Sequence, residues 1–273
     1  MKRVFPFLLF LLSISNINAQ DYGQLVDRAL SAAKKDSLAK AEELFKEALH
    51  LDPANMRNAL LFTNLGTIQR RMGKSDDAIE SYTLALNITP YSVVTLLNRA
   101  SLYLDMNLLN KAYVDYCNVL DIDRKNSEAL LFRAYIYMSR REYKEARVDY
   151  NTLLQEDSKN RTAQLGLVLL CQKEMKYTEA IEILNRMITE QSDDASLLKA
   201  KANVEIDMNT LDSALLDLEA AAKLTPNDAE IYVICGDIYM AQKKSREAYV
   251  AYEKAVSLGI PRSELHDKLK ASK

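Results

Sequence analysis

The chain has 273 residues, 48% hydrophobic and 27% charged, with only 6 Gly and 5 Pro, a globular composition that favours helix over sheet. It holds no low-complexity tract and no long linker. A formal charge of -2 leaves no electrostatic footprint for nucleic acid or an anionic lipid surface.

The first segment, MKRVFPFLLFLLSISNINAQ, starts basic at Lys2 and Arg3, runs apolar from Val4 to about Ile14 and ends polar. An apolar run this far short of the ~20 residues that span a bilayer reads as a secretory signal, residues 1-19, with cleavage expected after Ala19. Because the segment holds two cations and no acid, its removal takes the formal charge from -2 to -4. No Cys follows the apolar run, so a lipid anchor is not expected. The mature protein is expected to be soluble and exported, to a periplasm or to the extracellular space.

From there onward the chain repeats. Ala occurs at 41, 78, 112, 146, 180, 214 and 248, with steps of 34 residues after a first step of 37. Four residues after each stands a large apolar side chain: Phe45, Tyr82, Tyr116, Tyr150, Leu184, Leu218 and Tyr252. Three further on come Ala48, Ala85, Val119, Leu153, Met187, Ala221 and Ala255. Positions i, i+4 and i+7 share a helix face, so every copy carries one amphipathic helix. Upstream lies a second helical stripe, clearest as Phe62, Leu65, Gly66, Gln69 and as Tyr232, Cys235, Gly236, Tyr239, with Ala29, Ala100, Ala134 or Ala202 at the glycine position elsewhere. A small residue there lets two helix axes approach, and a larger one would overpack by about 1 to 3 kcal/mol. Pro53, Pro90, Pro226 and Pro261 follow 12 or 13 residues after their Ala and close the second helix. Ser75 and Ser245 stand where that helix is expected to start and are read as its N-caps.

This pattern resembles the tetratricopeptide repeat, whose signature is a large apolar residue, Leu-Gly, Tyr, then Ala, aromatic, Ala and Pro across about 34 residues. In that register the copies are 22-55, 59-92, 93-126, 127-160, 161-194, 195-228 and 229-262, with 263-273 as a polar capping helix. The fifth is the weakest, with Val168 at the small position, Gly166 two before it and Ser192 at the proline position. The resemblance implies an all-α fold, a right-handed superhelical solenoid of antiparallel helix pairs. No single pair buries its apolar face alone, which is why the motif recurs.

No catalytic residue, metal site or cofactor is expected. His50 and His266 lack ligand spacing to another His or Cys, and no phosphate loop or nucleophile elbow is present. Cys117, Cys171 and Cys235 fall in alternate repeats. Helices one repeat apart already pack about 8 to 10 Å from each other, too far for a disulfide's Cα separation of about 7 Å or less, so the three are read as small buried hydrophobes. Acids such as Asp76, Asp77, Asp193 and Asp194 fall in inter-helix turns and are read as solvated charge. Basic clusters at Arg70, Arg71, Lys74 and at Arg140, Arg141, Lys144, Arg147 are read as structural complements of helix C-termini. Asn87 and Asn160 lie in glycosylation sequons that matter only in a eukaryotic secretory route.

The resemblance also implies a non-enzymatic protein-interaction scaffold that binds a peptide or helix in a concave groove lined by the first helices. The family's carboxylate clamp is incomplete: Lys199 and Asn203 match, but the later positions are Ile234, Glu264 and Lys268. The groove positions of the middle repeats are instead apolar, namely Leu97, Ser101 and Leu104, then Leu131, Tyr135 and Met138, then Leu165, Leu169 and Gln172. Repeat 2 offers Thr63, Asn64, Thr67 and Arg70. Two readings stand side by side: an exposed apolar contact surface for an envelope protein, or side chains covered by neighbouring first helices. Self-association through the same surface is an alternative. So is glycan or small-ligand binding, against which the absence of Trp argues.

Overall fold

A computed structural model describes residues 21-273. The expected signal segment and its cleavage site lie outside the described residues. Within them every regular element is helical.

Two compact units form, one running to Arg140 and the other from Arg141. The first holds α1 (21-34), α2 (Leu38–Leu51), α3 (Asn58–Arg71), α4 (Ser75–Ile88), α5 (Val93–Asp105), α6 (Leu109–Ile122) and α7 (Ser127–Ser139). The second holds α8 (Tyr143–Glu156), α9 (Arg161–Lys173), α10 (Tyr177–Glu190), α11 (Ala195–Asp207), α12 (Leu211–Leu224), α13 (Ala229–Ala241), α14 (Ser245–Ser257) and the short α15 (His266–Ala271). From α2 to α14 each helix packs on the next within its unit, and Tyr22, Leu25 and Ala29 of α1 share a core with Ala41, Leu44 and Phe45 of α2, giving an all-helical solenoid of antiparallel helix pairs. The unit boundary falls in a turn inside a repeat, between α7 and α8.

The repeating alanines are the reason the pairs close. Ala41, Ala78, Ala112, Ala146, Ala180, Ala214 and Ala248 are all fully buried. The large residues four positions on, from Phe45 to Tyr252, are at most 5% exposed, and each such burial stabilises by about 1.5 to 3 kcal/mol. At the small position of α3 the fit is tight: a Cβ on Gly66 would lie 2.8 Å from Tyr82 Cδ1 and Cε1. Gly236 stands in the same relation to Tyr252. The odd composition of repeat 5 also finds its reason here, because a Cβ on Gly166 would fall 2.6 Å from the Tyr150 ring on α8. Glycine at 166 leaves room for that ring.

Turns follow one rule. Asp36, Gly73, Asn107, Arg141, Met175, Asn209 and Lys243 each end a first helix with φ between 57 and 75°. The next amide closes back on the helix, as in Leu108 N to Tyr103 O at 2.7 Å and Lys176 N to Cys171 O at 2.8 Å, which is the Schellman closure. Capping differs from the expectation. Lys74 and Lys244, not Ser75 and Ser245, occupy the N-cap positions of α4 and α14, without a side-chain bond. The left-handed turn delivers the chain into the second helix one residue early, so each serine is already the first helical residue. Side-chain caps belong to first helices instead: Ser92, Asn126, Asn160, Asp194 and Asp228 accept from amides two or three residues on. Asp194 and Asn160 are therefore structural, contrary to the reading of Asp194 as merely solvated charge.

Pro53, Pro90 and Pro226 close second helices as expected, two residues beyond the last residues of α2, α4 and α12, whereas α14 ends at Ser257, four residues before Pro261, in a turn through Gly259 at φ 112°. The C-terminal segment covers the last pair through Leu265 and Leu269, both buried.

Candidate interaction surface

First helices present the residues at positions 5, 9 and 12 of each repeat on one face, because these follow a helical spacing. On α5, Leu97, Ser101 and Leu104 are half-buried; on α7, Leu131 and Met138 are half-buried and Tyr135 is 55% exposed. On α9 of the second unit, Leu165 is half-buried and Leu169 is 49% exposed. Neighbouring side chains cover part of this surface, whereas Tyr135 and Leu169 stand clear of it.

α3 and α5 flank that face with polar rungs. Thr63 is buried and shares a 2.8 Å hydrogen bond with Thr95, while Arg70 donates to Ser101 at 3.0 Å and to Asp105 at 2.5 Å. Ser101 is thus engaged by Arg70. An equivalent rung in the second unit runs from Gln172 to Asp207 at 2.8 Å. Two exposed residues were missed by considering only positions 5, 9 and 12. Leu60 and Val94, at position 2 of consecutive repeats, are 64% and 63% exposed. Their signal was an aliphatic residue just after a helix start, where polar residues are usual.

The basic clusters are internally engaged. Arg71 meets Asp36 at 2.6 Å, Lys74 meets Glu42 at 2.7 Å, and Arg140 bonds Asn110 at 2.6 Å while lying 4.5 Å over the Tyr113 ring. Arg147 spans Glu174 at 2.5 Å and Glu179 at 2.6 Å. Burial opposes its charge, but the hydrogen bonds it donates to both carboxylates raise its pKa. Arg147 belongs to α8, a second helix, so its role is cross-repeat pairing rather than C-terminal complementation. Of the clamp matches, Lys199 is committed to Asp228 at 2.9 Å and Glu230 at 2.7 Å.

On the side formed by second helices, position 7 of the first helix faces position 23 of the second. Arg99 and Asp115 form a bidentate pair, both contacts at 2.8 Å, and Lys201 meets Asp217 at 2.9 Å. In the last repeat the two positions are Cys235 and Ala251. With nothing long to fill the space, a cavity of about 720 Å³ opens among α12, α13 and α14, lined by Ile231, Tyr232, Cys235, Tyr239 and Val250 among others. Burial pushes the Cys235 thiol up to about 11 and the Cys171 thiol upward as well, so both are protonated and packed. Cys117 departs from expectation in being only half-buried. All three thiols are free.

Among the described residues no group of three His, Cys, Asp or Glu side chains is placed to hold a metal ion, and no helix is long and apolar enough to cross a membrane.

Tetratricopeptide repeat profiles match residues 61-90, 137-204 and 229-258. A tetratricopeptide repeat protein from Parabacteroides merdae ATCC 43184, known as a crystal structure, is 34% identical over 93% of this chain and 99% of that one, with a TM-score of 0.70. YrrB, described as a TPR protein with an unusual peptide-binding site, superimposes on 70% of this chain and 98% of its own, with a TM-score of 0.53 at 21% identity. Human DnaJ homolog subfamily C member 7 is 36% identical over 94 residues, covering 34% of this chain and 19% of that protein. The matched segment is therefore about a fifth of the length of this human relative.

Proposed function

The chain belongs to the tetratricopeptide repeat family, and on that premise we propose that it is an exported scaffold that binds a peptide or amphipathic helix of an envelope protein. As a member of that family it is a non-enzymatic, protein-binding solenoid. The proposed contact lies on the first-helix face of the first unit: Leu97, Ser101 and Leu104 on α5, with Leu131, Tyr135 and Met138 on α7. In the second unit the same positions of α9 offer Leu165 and Leu169.

One observation carries this reading. Tyr135 is 55% exposed beside half-buried Leu131 and Met138, an amphipathic ring set in an apolar surround, which suits an interface anchor. The charges nearby, Arg70 and Asp105, already satisfy each other. Affinity is therefore expected from apolar burial rather than from a charged clamp. Export rests on the basic-apolar-polar order of residues 1-19.

The test is affinity capture from an envelope extract with residues 20-273, run beside the Leu131→Asp, Tyr135→Ala variant. Retention of one protein by the first and its loss from the second, at similar melting temperatures, supports the reading. Equal capture by both removes the contact from this face. Capture of the chain by itself, checked by light scattering, replaces the partner with a second copy.

A further inference from the structure

α11 and α12 enclose a group that the other repeats lack. Glu205 is 8% exposed, and its Oε2 has no hydrogen-bond partner. Lys201, one turn earlier, lies 3.8 Å from Glu205 Oε1 and 2.9 Å from Asp217 Oδ2. Two carboxylates thus compete for one ammonium where little water can help.

Steps of 34 residues show how unusual this is. The Glu205 position is held by Ala32, Gln69, Tyr103, Tyr137, Cys171 and Tyr239 in the six other copies, the first step being 37 residues, and none of these side chains carries a carboxyl. In repeat 3 the matching pair, Arg99 and Asp115, is one cation to one carboxylate, with Tyr103 as the third member. Repeat 6 adds an acid to an ion pair that is already balanced.

We propose that Glu205 is a proton switch, held as the neutral acid beside the Lys201–Asp217 ion pair, whose ionisation releases its proton to solvent and loosens the α11–α12 pair of repeat 6.

The surroundings support that protonation state. Burial first, and then the charge of Asp217, push the Glu205 carboxyl up to about 7, with Lys201 opposing. α10, which also packs on α11, buries Ala180, Ile183, Leu184 and Met187, none of them charged, and the acids at the start of α13, Asp228 and Glu230, are engaged by Lys199. The Thr210 amide and hydroxyl bond the main-chain carbonyl of Glu205 rather than its carboxyl. The native state therefore holds a proton that the unfolded chain has lost, and stability falls as pH rises from about 4.5 to about 7, then stays low. The carboxylates with lowered pKa values, Glu42, Glu174, Glu179, Asp194 and Glu253, act with the opposite sign below that window.

Hydrogen exchange on the full chain tests this, with protection of α11 and α12 compared at about pH 5.5 and about pH 8 after correction for intrinsic rates. In the wild type the opening constant of the pair should rise on the order of tenfold between the two conditions. Glu205→Gln, which places the Gln69 side chain of repeat 2 in this position, should remove the rise. Asp217→Asn should reduce it, because Lys201 is then free to pair with ionised Glu205. An undiminished rise in Glu205→Gln overturns the proposal. Carbon-13 titration of the Glu205 carboxyl in the wild type decides without any variant: a midpoint of about 6 to 8 sustains the switch and one of about 5 or below ends it.

Discussion

Gly66→Ala is a test whose sign depends on the packing described above. Glycine inside a helix costs about 0.5 to 1 kcal/mol relative to alanine, so helix propensity alone makes the variant more stable. The structure forecasts the reverse. The new Cβ would lie 2.8 Å from Tyr82 Cδ1 and Cε1 and 3.1 Å from the Ala78 carbonyl oxygen, whereas unstrained contact begins near 3.4 Å. Tyr82 is 1% exposed and its hydroxyl is 3.2 Å from Thr67 Oγ1, so the ring has no free direction in which to retreat. Overpacking of about 1 to 3 kcal/mol then exceeds the propensity gain, for a net loss of about 1 kcal/mol. Repeat 3 pairs Ala100 with Tyr116, whose ring stacks on Phe132 with centroids 5.7 Å apart. Combining Gly66→Ala with Tyr82→Leu recreates the Ala202 and Leu218 pairing of repeat 6. Urea unfolding of the two single variants and the double variant gives the coupling. The double variant should be less destabilised than the sum of the singles by about 1 kcal/mol. A more stable Gly66→Ala, or strict additivity, would refute the steric argument.

Met175 holds φ 58° at 75% exposure, and the left-handed region disfavours a side chain by about 1 to 2 kcal/mol. Met175→Gly should therefore raise stability by about 0.5 to 1 kcal/mol in the same urea assay, after the larger backbone entropy of glycine is counted. Asn126→Ala removes the 3.1 Å cap bond to the Ala129 amide and should lose about 1 kcal/mol, whereas Ser75→Ala, at a position without a cap bond, should change little. Glu42 accepts hydrogen bonds from Lys46, Lys74 and Gln69; burial alone would raise its pKa, but these donors hold it down to about 2. Its stabilisation is complete above about pH 4.5 and is lost as pH falls toward 2. Glu42→Gln should flatten that limb of an acid-unfolding curve followed by circular dichroism.

Much of the fold was legible because the repeat is written in side-chain size. The alanines at 34-residue steps, the large residues four positions on and the closing prolines act through neighbours within one helix pair. Each copy therefore states its own packing, and seven copies state it seven times. The interaction face was half legible: helical spacing put Leu131, Tyr135 and Met138 on one side of α7, but how far each would stand clear depended on the surrounding helices. Features set between elements were hidden. Ser75 looked like a cap until the left-handed turn at Gly73 shifted the helix start by one residue, and four of those turns carry Asp, Arg, Met or Lys rather than the Gly or Asn that would have marked them. Arg70 reaches Asp105 across 35 residues, and Glu205 shares Lys201 with Asp217, through contacts whose chemistry changes from copy to copy. Sequence alone determined the period, the helix pairs and the inward faces, because these follow from local spacing and side-chain volume. Only the tertiary structure decided which charges are balanced, which carboxyl is buried without a partner and which apolar residues meet solvent, because those depend on the burial and electrostatics of groups brought together from different helices.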